Sequence, residues 1–592
     1  MKSKFINLIA LTSLCIAVTA CSKSDNPNDV PNPGGGTGQQ KTLQLTPIGN
    51  LNQGSQAINS HADITPRSSL VMNHRSYVEI GSDQTKVDAP VYPRVRKMAD
   101  GRYIMFYQNN QIGADTYYMV SSDLQTWTGG DRLFARHPIV DQSGANNERR
   151  FSTCNALVLA NGDVIAVASY RANRDYRLLP NDNGLIMRKS IDNGATWGEP
   201  VEIYQGTNWE PHLLQLPSGE IHCYFTDSRT HIGEYNTGTA LIVSNDNGQT
   251  WTPSFGNIPQ RVIRQKFSDA NGGLYTDQMP GVIKLNNSSK LVAAVESYNN
   301  TTNYYLSFAY SGENGQWPNL AENEEGPADR NNYAFVGAAP SLVQFPSGET
   351  ILSYNTGGLY RLRIGDATAQ TFSDPYMPFS KTGYWGTMEM IDSHQMIGSM
   401  HTEGAIMLAR FILNHRINAT ARTVNVDGDN AEWANTDQAL FVGQVSQAQA
   451  TLRCAADEQN VYFLIEVFDE DISRDDYVSI FLTPADGNGQ VGADSRRIRV
   501  SHSGLKSTDI YGGGWRASDM NVSVSSSYDG TISDNSDVDN GYLVEIAVPK
   551  SQLNLSGGDL LVNFSLFDTQ GGEDAITNTA DRNTANWVPI SF

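Results

Sequence analysis

The segments SIDNGATW (190–197) and SNDNGQTW (244–251) are identical at six of eight positions, which are Ser, Asp, Asn, Gly, Thr and Trp. Asp hydrogen-bonds nearby backbone and Gly accepts positive φ, so this pattern predicts a tight turn between two strands. Degraded copies occur as SSDLQTW (121–127) and SGENGQW (311–317). The Asp residues are therefore predicted to be structural, with the Trp packing against a sheet.

A second repeat, out of phase with the first, consists of a polar turn followed by an apolar, aromatic-rich strand. The turn glycines of its four clear copies lie 61, 57 and 129 residues apart, at Gly101, Gly162, Gly219 and Gly348. The doubled last interval predicts a copy midway, which is LNNSSKLVAAVE (285–296), and a weak sixth copy lies at 390–400. Six units at this spacing favour an all-β fold, a propeller of six four-stranded blades.

Composition limits the function classes. The 592 residues exceed one compact domain, so two or more domains are expected. Lys and Arg total 42 against 63 Asp and Glu, and the net charge of −21 argues against a nucleic-acid partner, because phosphates need a basic face. Five Cys cannot form a disulfide framework at this length. The scattered His residues lack metal-ligand spacing and no phosphate-binding loop is evident, so no metal and no cofactor are predicted.

The N-terminus has the features of a targeting segment. Lys2 and Lys4 precede an apolar stretch at 5–20 that is short for a membrane span. It ends Val18-Thr19-Ala20-Cys21, which resembles the lipobox of bacterial lipoproteins and implies a signal peptide over 1–21 with Cys21 lipidated. The polar, Pro- and Gly-rich residues that follow predict a flexible tether over 22–45. We expect a monomer in the cell envelope, attached to the membrane by this anchor alone; an ordinary secretory signal is the alternative.

The repeats stop near residue 415, and the remainder predicts a second domain over 418–592. It opens with VNVDGDNAEWANTD (424–437) and contains VYFLIEVFDEDISRDDYVSIFLTP (461–484), two strands around an acidic turn. This resembles the family 9-like carbohydrate-binding modules, which are β-sandwiches, and implies glycan binding. A structural calcium, or a sandwich without a ligand, is the alternative. The propeller, at 46–415, and the sandwich are each expected to fold alone.

Resemblance also suggests a catalytic site. The turn repeat is similar to the Asp-box of sialidase-like propellers over about 85–410, and WEP (209–211) resembles a motif of glycoside hydrolase family 93, the exo-arabinanases. The resemblance implies Glu210 as nucleophile, Glu296 as acid/base and Tyr384, in GYWGTMEMID (383–392), as a partner of the nucleophile. Glu296 also ends the apolar strand LVAAVE, where a carboxyl is costly unless it is functional or paired. An oligo- or polysaccharide is the expected partner.

Other residues are assigned to substrate binding. Aromatic rings stack on sugars, and the candidates for this contact are Tyr92, Trp209, Tyr275 and Trp385. A sialidase is the competing enzyme, in which Arg94 and Arg229 would bind a substrate carboxylate and Asp115 would act as the acid. A lectin without catalysis is a third reading.

The lipid anchor is testable directly. Cys21→Ser removes the thiol that would be acylated, so we expect unprocessed or soluble protein in place of a membrane-fraction lipoprotein. Fractionation and the mass of the N-terminal peptide measure this. Identical results for both proteins would contradict the assignment.

Overall fold

The structure is a computed structural model that describes residues 38–51, 68–228, 237–267, 274–298, 303–322, 324–485, 488–555 and 559–592. Cys21 and Arg229 lie outside the described residues, as does the side chain of Tyr275. Strands dominate, and none of the helices in the described ranges is long and apolar enough to cross a membrane. The helical segments are the α-helical turn Ser82–Thr85 and the 3-10 turns Ile48–Asn50, His74–Ser76, Tyr176–Leu178, Pro180–Asp182, Glu313–Gly315, Ala431–Trp433 and Lys550–Gln552.

The first three blades are antiparallel sheets formed by consecutive strands. Blade 1 consists of Val91–Lys97, Tyr103–Gln108, Thr116–Ser121 and Thr128–Phe134. Blade 2 consists of Asn146–Val158, Val164–Ala172, Gly184–Ser190 and Val201–Gln205, with His137–Val140 paired to the start of its first strand. Blade 3 consists of Asn208–Gln215, Ile221–Asp227, Gly238–Ser244 and Gln260–Ile263, and the hairpin Gln265–Phe267 and Leu274–Thr276 follows it.

The last three blades complete the ring. Blade 4 consists of Gln278–Lys284, Leu291–Tyr298, Tyr304–Tyr310 and Arg330–Val336. Blade 5 consists of Ala338–Gln344, Thr350–Thr356 and Leu359–Gly365. Blade 6 consists of Gly383–Met390, Gln395–Thr402 and Ala405–Asn414, and is completed by Ser69–Met72 and Val78–Ile80 from the start of the propeller. The first strands of successive blades contact one another around the axis, and the sixth contacts the first. The predicted six-bladed propeller is confirmed.

Apolar runs form the middle strands because neighbouring blades cover both faces of each sheet. All nine residues of Val164–Ala172 are buried, so this strand has a continuous rather than an alternating apolar pattern.

The turn around Asp192 forms as predicted: the Asp192 carboxylate accepts from the backbone and the hydroxyl of Thr196, at 2.9 and 2.6 Å. These bonds lower the pKa of Asp192 to about 2, and the bond from the Thr196 hydroxyl has the largest effect. Asp246 repeats the arrangement with Thr250.

Two facing sheets form the C-terminal β-sandwich around one apolar core. One sheet consists, in spatial order, of Gln39–Gln40, Ser523–Asp529, Gly541–Pro549, Asn460–Phe468, Gln449–Ala456 and Thr420–Ala421, with Ala439–Val442 also on Gln449–Ala456. The other consists of Ile417–Asn418, Val588–Ser591, Leu560–Asp568, Tyr477–Pro484, Arg496–Ser501, Lys506–Tyr511 and Trp515–Ala517, with Gly572–Ala575 on Leu560–Asp568.

The N-terminal segment belongs to the sandwich, which differs from the predicted tether over 22–45. Gln39–Gln40 pairs in parallel with Ser523–Asp529, and Leu43 is buried beside Trp433. The Thr46 amide donates to Glu466 at 2.9 Å. The polar sequence gave no sign of a strand here, because the pairing depends on a partner almost 500 residues away.

The propeller and the sandwich also share a packed interface. Asn414 and Phe441 exchange two hydrogen bonds of 2.8 Å, and Phe441 is buried against Val71 and Ile412. A cut between 415 and 418 would therefore expose Phe441 and separate the segment 38–51 from its sheet. Independent folding of the two pieces stays a prediction, and these contacts weigh against it.

Leu43→Ala tests the role of the N-terminal segment. Leu43 is 3% exposed, so truncation should lower the free energy of unfolding by about 2–5 kcal/mol. Leu178→Ala, at a leucine that is 62% exposed, is the matched control. Calorimetry of the full chain measures both, and equal midpoints would show that the segment adds nothing to the fold.

Candidate active site

One residue of every blade adopts a left-handed backbone conformation near the propeller axis. None of the six is glycine, and they are Tyr92, Thr153, Glu210, Met279, Ala339 and Trp385. Each lies where the pairing between the first and second strands of its blade shifts register, which identifies a β-bulge. A left-handed non-glycine residue costs roughly 1–2 kcal/mol, and such strain is concentrated at functional sites. We call these six residues the left-handed ring.

A polar residue of the second strand accompanies each bulge. In each blade, this second-strand residue pairs with the first-strand residue that directly precedes the left-handed one. The six second-strand residues are Gln108, Ser169, Thr226, Glu296, Asn355 and His401. In three cases the amide of a left-handed residue donates to such a side chain in the preceding blade. These bonds are Thr153 to Gln108 at 2.6 Å, Met279 to Thr226 at 2.8 Å and Ala339 to Glu296 at 2.6 Å. Bulge geometry thus turns polar side chains toward the axis and links the blades.

Glu210 is the member of this ring in blade 3. Its carboxylate accepts from the Thr226 hydroxyl at 2.9 Å, and its amide donates to Thr153 at 3.2 Å. Part of Glu210 borders a cavity of about 290 Å³, whose other lining residues are Tyr176, Arg177, Trp209, Thr226, Ser228, Thr237, Gln278 and Tyr304. A second cavity, of about 460 Å³, is lined mainly by the first strands of the blades and also borders Glu210.

Glu296 lies in the next blade and is 6% exposed. Its two oxygens accept from the Ala339 amide, at 2.6 Å, and from the Gln278 side chain, at 3.2 Å. Since Met279 follows Gln278 and donates to Thr226, a short series of bonds connects the two carboxyl groups.

The two carboxyls interact electrostatically. Burial, then repulsion from Glu296, raises the pKa of Glu210 to about 8, against the Thr226 hydrogen bond and the charges of Arg94 and Arg171. Burial also raises the pKa of Glu296, which its two donors oppose. Because the two like charges resist joint ionisation, burial and repulsion favour the form of the pair that carries a single proton.

Three of the predicted site residues, Tyr92, Tyr384 and Trp385, have aromatic rings that lie close together. The ring centre of Trp385 lies 5.7 Å from that of Tyr384 and 6.0 Å from that of Tyr92. The expected Tyr384–Glu210 hydrogen bond is absent among the described contacts. Burial and the nearby charge of Glu296 raise the Tyr384 pKa, which associates this hydroxyl with Glu296. Trp209, next to Glu210, faces the smaller cavity.

Arg94 and Asp115 are held by the protein itself. The Arg94 guanidinium stacks 3.7 Å from the centre of the Tyr92 ring and donates to the carbonyls of Pro93 and Trp385. Asp115 is 1% exposed and accepts from the Arg136 amide at 2.8 Å. Both residues were predicted as substrate contacts, and the structure gives each of them a bonding role within the fold.

Sequence reasoning missed Thr226 and Arg171. Thr226 could have been found as the blade 3 residue at the position that Glu296 occupies in blade 4, once the bulges are known. No sequence pattern marks Arg171, whose contact with Trp209 joins two blades.

The sandwich contains a cluster of acidic side chains, two of which come from the acidic turn between the strands predicted over 461–484, where the sequence left a structural calcium open as the alternative. Oxygens of Asp469, Asp476 and Asp568 lie within 4.8 Å of one another and are buried. Burial raises the pKa of Asp469 to about 7 and that of Asp476 to about 6. Carboxylate oxygens at this spacing are ligands suited to a hard divalent cation.

No family model and no curated protein matches this chain. Among solved structures, the α-L-arabinofuranosidase Arb93A from Fusarium graminearum is 16% identical, over 57% of this chain and 97% of its own, with a TM-score of 0.42. A Hadza microbial sialidase is 15% identical over 55% and 66%, with a TM-score of 0.39. A carbohydrate binding module of family 9 from Caldicellulosiruptor kristjanssonii is 20% identical over 30% and 92%, with a TM-score of 0.24. At these identities the likeness concerns the fold alone.

Glu296→Gln tests the coupling of the carboxyls. Removing the charge of Glu296 removes the repulsion, so the pKa of Glu210 should fall from about 8 yet stay above its ordinary value, because burial remains. Carbon-13 NMR of labelled glutamate side chains, with Glu210→Gln for assignment, measures this. A Glu210 titration unchanged by Glu296→Gln would show that the groups are independent.

Proposed function

We propose that this protein is a retaining, exo-acting glycoside hydrolase of the arabinanase type, lipid-anchored in the cell envelope. The carrying observation is the pair Glu210 and Glu296 on adjacent blades: the two carboxyls are joined through Thr226, Met279 and Gln278, and the charge of Glu296 raises the pKa of Glu210. Retaining glycosidases use two carboxyls at about 5–5.5 Å, one as nucleophile and one as acid/base.

In the proposed reaction Glu210 attacks the anomeric carbon while Glu296 protonates the departing oxygen. A covalent glycosyl-enzyme results, and Glu296 then removes a proton from the water that releases the sugar. In the free protein burial raises the pKa of both carboxyls, that of Glu210 to about 8. A leaving-group oxygen placed against Glu296 supplies an acceptor that favours the proton there, which leaves Glu210 ionised for attack.

The exo mode is supported by the size of the cavity. A space of about 290 Å³ suits one or two sugar rings rather than a long polysaccharide segment. Trp209 offers an aromatic face beside the nucleophile, and aromatic faces are a common platform for sugar rings.

The sialidase reading finds less support. A carboxylate clamp needs guanidinium groups that face the substrate, whereas Arg94 is buried and donates to backbone carbonyls. Asp115 is likewise engaged by Asn109 and Arg136.

Hydrolysis of a glycan panel tests the function and the sugar class. We expect release of small sugars from arabinan, and none from sialyl substrates. Release of sialic acid would favour the sialidase, and binding without release would favour a lectin. The reaction needs the pair to carry one proton, so kcat/KM should fall as pH rises above about 8, where the pair loses its last proton.

Two variants separate the roles of the carboxyls. Glu296→Gln should lower activity on arabinan by about 10²- to 10⁴-fold and spare the first step on aryl glycosides whose leaving group departs unaided. Glu210→Gln should abolish turnover of both. Glu220→Gln is the control in the same blade, because Glu220 bonds His222 and is not among the lining residues of either cavity bordering Glu210. Equal losses for all three would contradict the assignment.

A further inference from the structure

Arg171 lies at the end of the second strand of blade 2 and is 6% exposed. Its guanidinium carbon is 3.7 Å from the centre of the Trp209 ring and 5.6 Å from that of Tyr176. The two rings meet edge to face at 5.9 Å, so they form a corner that encloses the guanidinium.

The terminal nitrogens of this guanidinium are buried without a hydrogen-bond partner among the described residues. Arg149, in the same blade, provides a contrast: it stacks 4.3 Å from the Tyr170 ring and also forms an ion pair with Glu202. Arg171 has the aromatic contact and lacks the carboxylate.

Burial of an unpaired cation is unfavourable, and a cation–π contact offsets only part of that cost. A nearby negative charge would offset more of it. Glu210 is the residue after Trp209, and the charges of Arg171 and Glu210 attract each other. The ring of Trp209 holds the cation beside the carboxylate without an ion pair forming between them.

We propose that Arg171 is a positioning residue that acts through Trp209 as the counter-charge of Glu210. Resting on the function proposed above, this role favours the ionised form of the nucleophile, against burial and the charge of Glu296, while both its oxygens stay free of a guanidinium. A direct ion pair would instead tie up the attacking oxygen.

Other groups that face Glu210 also influence its ionisation. Glu296 opposes ionisation of Glu210 by its like charge, whereas the Thr226 hydroxyl and the charge of Arg94 favour it. Tyr92, in contact with Arg94, stays neutral, because burial raises its pKa. Arg171 is thus one of two buried cations near the carboxyl pair, each of them stacked on an aromatic ring.

Arg171→Gln removes the charge and keeps a polar side chain of moderate size. The titration of Glu210, followed by carbon-13 NMR of labelled glutamate, should move up by about one pH unit, since an opposite charge has been lost. The alkaline limb of kcat/KM, near pH 8, should move in the same direction, with kcat reduced more than KM is raised. Arg171→Lys keeps the charge and should restore most of the shift.

Arg149→Gln is the matched control and should leave the titration of Glu210 unchanged. An unchanged titration in folded Arg171→Gln would overturn the proposal, as would a rise in KM alone, which indicates a substrate contact. Should Arg171→Gln fail to fold, the titration of Arg171→Met decides by the same criterion. The NMR measurement needs no turnover, so a shift in a protein that hydrolyses no glycan would support this inference while refuting the proposed function.

Discussion

The architecture depends on the bond that the amide of a left-handed residue makes to a polar side chain of the neighbouring blade. The bonds of Thr153, Met279 and Ala339 are the clearest cases. Each joins two sheets at their innermost point, where no sheet ladder can connect them. Each bond requires a bulge whose residue has a positive φ. The backbone strain of that residue, roughly 1–2 kcal/mol, offsets part of the stabilisation that the bond contributes. Six such positions around the axis make the centre the most constrained part of the propeller.

This constraint also explains where chemistry can occur. Glu210 occupies a ring position, and Glu296 occupies the acceptor position, so both carboxyls replace residues that elsewhere serve to join blades. A carboxyl introduced there is fixed by the same bonds and deprived of water, which accounts for the raised pKa of Glu210. Arg94 and Arg171, each stacked on an aromatic ring, act against this effect, because their positive charges lower the pKa of Glu210.

Much of the fold was predictable, because the turn repeats are local. The turn glycines and the bonds of Asp192 and Asp246 depend on residues within five positions, so their spacing revealed the blades. The Asp366 turn was missed since it lacks the Ser and Gly of the other copies, although its carboxylate makes the same kind of bonds to Thr368 and Thr371. The left-handed ring was invisible, because none of its members is a glycine. The positions of Glu210 and Glu296 came from motif resemblance, whereas Arg171 acts through a contact between blades that no local pattern encodes.

The strand Gln39–Gln40 has a consequence for how the chain is made. It pairs with Ser523–Asp529, and Ser69–Met72 pairs with Ala405–Asn414, so both domains join early residues to late ones. At ribosomal speeds of about 5–20 residues per second, Ser523–Asp529 is made roughly half a minute to well over a minute after Gln39–Gln40. During that time the side chain of Leu43 lacks its native neighbours. Ser69–Met72 waits for a shorter time, because its partner Ala405–Asn414 is made before the sandwich. A ribosome that stalls late in the sandwich therefore leaves the sandwich open, while the last blade of the propeller can already be completed.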